Sequence, residues 1–246
     1  ADVVKFQTFV ARRMIAATAP KAQYQQKTTG TKESQLEMVQ KLELSREDHR
    51  SLMRRCKEQG IGFLSTPFDE QSVDLLVHQM GLRTIKIPSC EITNGPLLLH
   101  IARTGRDIIL STGMSTLDEV AQALSVLAFG FVTSDEEPTP ERLGAIFASD
   151  EAQTLLRERV TLLHCTTEYP APMNEINLRA MQTLHIRFGL PIGYSDHSQG
   201  ITIPIAAAAL GATVIEKHFT LDRSLPGPDH RASLEPDELT DMGRGI

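Results

Sequence analysis

Seven short apolar runs, at 3–8, 62–66, 84–88, 107–112, 160–165, 190–195 and 213–216, alternate with longer helix-like stretches along the chain. No other feature constrains the fold as strongly. Strand-like runs that recur between helical segments are parallel strands joined by crossover helices, which makes the class α/β. The helical stretches carry their own boundaries. Ser45 caps a helix over 46–59 closed by Gly60, and Asp69 caps one over 70–80 closed by Gly81. Pro96 opens 97–103 before Gly105, and Ser115 with Asp118 has the form of a capping box for a helix that stops at Gly130. Asn177 is read as the cap of 178–187, and 201–211 is an Ala-rich helix. The segment 20–33 reads as a loop, and 133–159 as an acidic excursion with a helix near 152–157.

Two architectures fit this alternation, a doubly wound open sheet and a (β/α)8 barrel. An open sheet gathers ligands at one switch point, whereas a barrel brings every C-terminal strand end to one mouth. Here every strand ends in chemistry: Lys5 and Gln7, Ser65 and Thr66, Lys86 and Ser89, Ser111, His164 and Thr166, Ser195 and His197, Glu216 and His218. The barrel is therefore expected, as a single domain over 1–246. Its eighth strand is expected to precede Ala1, because the chain opens directly on a strand.

The net charge of −6 argues against general nucleic-acid binding, which depends on phosphate neutralisation. No apolar stretch is long enough to span a membrane. Three widely spaced cysteines form no CxxC pair, which suits a reducing cytoplasm.

The segment Gly193-Tyr194-Ser195-Asp196-His197, a helix, and Ile215-Glu216-Lys217-His218-Phe219 form one strand–helix–strand unit. A right-handed crossover makes its strands parallel neighbours. His197 and His218 can then share one divalent metal, with Asp196 and Glu216 beside them. Two nitrogen ligands leave open positions, and oxygen ligands there favour Mn²⁺, with Mg²⁺ or another divalent ion as the alternative. Lys5, Lys86, Ser89, Ser111, Thr166 and Ser195 suit a dianion such as a phosphate. Glu91, five residues past Lys86, suits a general base acting on water, or a helix-start carboxylate. Cys165 is expected to be core, facing away from His164. Asp229, in a proline-rich loop, suits a polyol or a turn.

Eight ordered segments carry a resemblance. They are Lys5-Phe6-Gln7-Thr8-Phe9, Phe63 to Asp69 (FLSTPFD), Lys86 to Glu91 (KIPSCE), Leu110 to Met114 (LSTGM), Leu163 to Pro170 (LHCTTEYP), Gly193 to His197, Ile215 to Thr220 and Pro226-Gly227-Pro228-Asp229. Together they resemble the sialic acid synthase family, which includes N-acetylneuraminate and legionaminic acid synthases. The resemblance implies condensation of phosphoenolpyruvate with an open-chain N-acetylated amino sugar and water, giving a nine-carbon 2-keto sugar acid and phosphate. It implies Mn²⁺ on His197 and His218. Lys5, Thr66, Lys86, Ser89, Ser111 and Ser195 would hold phosphoenolpyruvate. Thr167 stands where some members carry Asn at a phosphate contact. Gln7, Tyr169 and Asp229 would contact the sugar, Glu91 would assist water, and Glu216 belongs to the catalytic group. The family's first strand and its C-terminal antifreeze-like domain are absent here, and the intact family form is a homodimer. The competing expectations are a barrel lyase or hydrolase using the same histidines, and an inactive piece or scaffold in surface or spore-coat polysaccharide assembly.

Overall fold

A computed structural model describes the chain from Ala1 to Ile246, apart from Tyr24, Lys27 and Thr28. Its strands are β1 (Val3–Thr8), β2 (Gly62–Pro67), β3 (Thr84–Ile87), β4 (Asp107–Ser111), β5 (Val160–Cys165), β6 (Ile192–Asp196) and β7 (Ile215–Lys217). All pairings among them are parallel, in the sheets β1-β2 and β3-β4-β5-β6-β7. The β2 strand lies beside β3, and Lys5 on β1 reaches Glu216 on β7 at 3.6 Å. The strands thus follow chain order round an arc whose ends face each other. Among the described residues no ladder joins β2 to β3 or β7 to β1. The architecture is a parallel α/β half-barrel.

The helices are α1 (Ala11–Met14), α2 (Gln23–Thr29), α3 (Gln35–Gln40), α4 (Arg46–Glu58), α5 (Glu70–Asp74), α6 (Gly95–Arg103), α7 (Leu117–Val132), α8 (Pro140–Phe147), α9 (Asp150–Arg159), α10 (Arg179–Phe188), α11 (Thr202–Ala209) and α12 (Pro236–Gly245). Ser45 and Asp69 cap as expected, accepting from the Asp48 and Ser72 amides. After α5 the chain continues as a π-helix, Leu75–Gln79.

Five features differ from expectation. Thr116 with Glu119, one residue beyond Ser115 and Asp118, forms the capping box of α7. Gly130 does not stop that helix. A Cβ there would lie 2.6 Å from the Ala102 Cβ, so the glycine lets α7 close on α6. Asn177 adopts φ of 44° and does not cap α10. The segment 20–33 contains α2, and the excursion 133–159 carries α8 as well as α9, with Thr139 capping a helix that Pro140 opens.

The main core fills the layer between the outer faces of β3, β4 and β5 and helices α6, α7 and α9. Ile85, Ile87, Ile108, Leu110 and Leu162 meet Leu98, Ile101, Leu124, Leu127 and Leu156, all fully buried. Each such side chain contributes about 1.5–3 kcal/mol by leaving water. A second cluster gathers Tyr194 and Ile192 of β6 against Ile176, Met181, Leu184 and Ala207. Alternation then fixes the other faces of the strands, where Lys5, Thr66, Lys86, Ser111, Cys165, Ser195 and Glu216 point inward. Gly193 also points inward, and a Cβ there would sit 2.3 Å from the Val214 carbonyl and 2.6 Å from Leu163. No described helix is long and apolar enough to cross a membrane.

Candidate active site

Glu216 is the hub of the inner face. Its carboxylate lies 3.6 Å from the Lys5 ammonium and 3.8 Å from that of Lys86, and Ser195 Oγ donates to it at 2.7 Å. Lys86 is buried and also donates to Ser111 Oγ at 2.7 Å. Burial alone would raise the Glu216 carboxyl, but the two lysines and Ser195 overcome it and hold the group down at about 2. Burial works the other way on Lys86 and lowers its ammonium, with Glu216 opposing. One carboxylate is thus shared by two lysines on this wall of the mouth.

Beside the lysines lies a cluster of small polar groups around Gly113. Its N–H donates to Ser89 Oγ at 2.9 Å, and Ser89 Oγ lies 3.2 Å from Cys165 Sγ. A Cβ on Gly113 would meet Thr167 Oγ1 at 2.4 Å, Cys165 Sγ at 2.8 Å and Ser89 Oγ at 2.9 Å. Among the described residues, the buried hydroxyls of Thr66 and Thr167 find no hydrogen-bond partner. A buried polar atom without a partner costs about 1–3 kcal/mol, which an anion accepting from it would recover.

Across the mouth His197 and His218 stand with ring centroids 5.6 Å apart. His197 Nδ1 bonds the Thr166 carbonyl at 2.6 Å, which leaves Nε2 for another partner. Tyr169 packs on both rings, 4.2 Å from His197 and 5.5 Å from His218. Burial lowers both imidazoles. His218 falls to about 3, pushed further by His197 and Lys5, and so both rings are neutral near pH 7. Neutral imidazole is the form that binds a metal. Among the described residues no group of three or more His, Cys, Asp or Glu is arranged to hold a metal. The two imidazoles alone would supply the protein ligands.

Other sequence-derived candidates are placed less centrally. Gln7 sits on the inner face of β1 but is exposed. Asp229 is half-buried in the loop after β7, and burial raises its carboxyl against the opposing His230. Glu91 lies on the turn after Ser89 and accepts a hydrogen bond from Asn94 Nδ2 at 2.7 Å, at the start of α6. Two hydroxyls point elsewhere. Ser65 turns outward to Thr8, which in turn bonds His49 on α4, and Thr166 Oγ1 donates to the Glu175 carbonyl. Thr166 serves the site through its backbone, not its side chain.

Gly113 and Cys165 were not legible as site residues. The Cys165 signal was there in the alternation: His164 points out to the Ile176 carbonyl, so its neighbour must point in.

The NeuB family model matches residues 1–246. The chain belongs to the NeuB family. It is 54% identical over 239 residues to N,N'-diacetyllegionaminic acid synthase of Campylobacter jejuni, covering 97% of this chain and 64% of the relative. The Legionella pneumophila protein of the same name is 45% identical over 246 residues, 100% of this chain and 63% of that one. This NeuB family chain thus spans just under two thirds of the length of these relatives. Among solved structures, the N-acetylneuraminic acid synthetase of Leptospira borgpetersenii in complex with citrate superposes with a TM-score of 0.79 at 31% identity, covering 100% of this chain and 72% of that one. A truncated 3-deoxy-D-arabino-heptulosonate 7-phosphate synthase of Thermotoga maritima, at 17% identity and a TM-score of 0.58 over 82% of this chain and 70% of that one, shares the fold.

Proposed function

We propose that this chain is the catalytic barrel of a synthase that joins phosphoenolpyruvate to an open-chain N-acetylated amino sugar, with water, to give a nine-carbon 2-keto sugar acid and inorganic phosphate. The observation that carries the reading is the pairing of two inner-face lysines on Glu216 opposite two neutral histidines. One wall suits a small polyanion, and the other suits a carbonyl electrophile.

Lys5 and Lys86 would take the charge of phosphoenolpyruvate, with Ser111 and Ser195 donating to it. Ser89 and the partnerless hydroxyls of Thr66 and Thr167 would complete its shell. Glu216 holds both lysines in place and must share them with the incoming anion. The two histidines fit a divalent ion, Mn²⁺ by the reading above: both are held neutral, and the Thr166 carbonyl fixes the His197 ring with Nε2 available. Such an ion would supply Lewis-acid polarisation of the sugar aldehyde. Tyr169, against both rings, together with Gln7 and Asp229, would orient the sugar chain. C3 of phosphoenolpyruvate then bonds to the aldehyde carbon, and water adds at C2. Glu91, oriented by Asn94, would take the proton from that water. The aldehyde oxygen takes up a proton to become a hydroxyl, and the C2–O bond to phosphate breaks last, as the C2 hydroxyl gives up its proton to become the keto group.

The two legionaminic acid synthases, at 54% and 45% identity, favour a 6-deoxy-diacetamido sugar over N-acetylmannosamine; the human N-acetylneuraminate-9-phosphate synthase is 34% identical. The working form is proposed as a cytoplasmic homodimer. The test is phosphate release by the intact-length protein, measured with each sugar. Release is expected to require phosphoenolpyruvate, sugar and divalent metal together. No release with either sugar overturns the reading.

A further inference from the structure

Directly behind the two histidines, on the outer face of β6 and β7, lies a fully buried ion pair. Lys217 Nζ bonds Asp196 Oδ2 at 2.6 Å, with side-chain exposures of 3% and 0%. Asp196 and Lys217 are register partners, the last pair of the β6–β7 ladder. Lys217 also donates to the Ser198 carbonyl, and the Ser198 N–H donates to Asp196 Oδ1 at 2.9 Å. These three bonds tie together the backbone on both sides of His197 and the residue just before His218. Nothing in the proposed chemistry uses either charge.

A buried ion pair is a poor source of net stability, because desolvating two charges offsets most of their attraction. What it supplies is direction. Strand alternation puts Asp196 and Lys217 back to back with His197 and His218. The pair therefore sets the spacing and the depth of the two strand tips from which the imidazoles project. We propose that Asp196 and Lys217 are positioning residues, a clamp on the outer face that presets the two histidines for one divalent ion. This rests on the metal reading under Proposed function. Outer-sphere groups that orient ligands typically govern metal affinity by about 10–100-fold.

The test measures Mn²⁺ affinity by the electron paramagnetic resonance of free Mn²⁺, and phosphoenolpyruvate affinity by calorimetry, on the intact-length protein. The double variant Asp196→Asn/Lys217→Met removes both charges together, so that neither is left buried alone. It is expected to keep the wild-type circular dichroism spectrum and to lose about 10–100-fold in Mn²⁺ affinity. Its phosphoenolpyruvate affinity is expected to fall less than its Mn²⁺ affinity, since Lys5, Lys86 and Ser111 stand on other strands and only Ser195 and Glu216 adjoin the pair. Lys217→Gln, which keeps donors for Asp196 and the Ser198 carbonyl, is expected to lose less. A folded double variant with wild-type Mn²⁺ affinity overturns the clamp, and so does an equal loss of both ligands, which marks a purely structural role. If the double variant does not fold, Lys217→Gln decides: unchanged Mn²⁺ affinity overturns the clamp. Wild-type protein that binds Mn²⁺ no better than His197→Ala/His218→Ala overturns the metal reading, and the clamp with it. Histidine-dependent binding that ignores Asp196 and Lys217 overturns the clamp alone.

Discussion

The two walls of the mouth bury different groups. On one, burial lowers the Lys86 ammonium, and Glu216, 3.8 Å from Lys86 and 3.6 Å from Lys5, opposes that. On the other, His197 and His218 have only weak charge support and are kept neutral. On both walls burial disfavours the charged form and Glu216 opposes it. The ligands proposed for the two walls would need both conditions side by side, and Glu216 is the one carboxylate that acts on Lys86 and on both histidines.

The strongest way to break this contrast is to remove a lysine. Lys86→Met leaves an anion without its buried cation, a loss of about 2–5 kcal/mol, or roughly 30- to 5,000-fold in phosphoenolpyruvate affinity. Calorimetry on the intact-length protein checks it, with Mn²⁺ affinity expected to hold. His218→Ala is the mirror experiment. Mn²⁺ affinity is expected to fall by at least about 10-fold, by analogy with the loss on disturbing a ligand's support, while phosphoenolpyruvate still binds.

A third probe bears on the floor between the walls. Gly113→Ala pushes a methyl into Thr167, Cys165 and Ser89, and overpacking of this kind costs about 1–3 kcal/mol. Thermal unfolding and phosphoenolpyruvate affinity should both decline.

A fourth probe is pH dependence. Without metal, His218 titrates at about 3 in the fold against an ordinary 6.5, and Glu216 at about 2 against 4.5. Between the paired values the unfolded chain binds more protons, so stability falls as pH drops, first below about 6.5 and then below about 4.5. His218→Gln should flatten the upper part of that slope in chelator-treated protein, as read by the unfolding midpoint.

Most of the architecture was legible because strand alternation and helix caps are local. The β1 strand and the caps at Ser45 and Asp69 lie where the sequence put them. Local signals erred where packing decided. Gly130 looks like a helix stop and is a contact point between helices, and Asn177 looks like a cap and occupies a left-handed turn. The site follows the same division. Lys5, Lys86, Ser195, Glu216 and the histidines could be gathered from the strand ends alone. The direction of each hydroxyl could not: Ser65 and Thr166 carry the right chemistry but bond outward. The Asp196–Lys217 pair was hidden because Asp196 read as a neighbour of the metal-binding histidines, although a lysine between Glu216 and His218 was the available clue.

The division of the strands into two sheets has a consequence for local opening. The β1–β2 pair carries Lys5 and Thr66, while Lys86, Ser111 and Glu216 belong to the five-stranded sheet. Two strands that, among the described residues, share no ladder with the other five form a separable cooperative unit. In amide hydrogen exchange, β1 and β2 should lose protection before β4 and β5. A ligand spanning Lys5 and Lys86 would then slow exchange most in strands whose own backbone it need not touch.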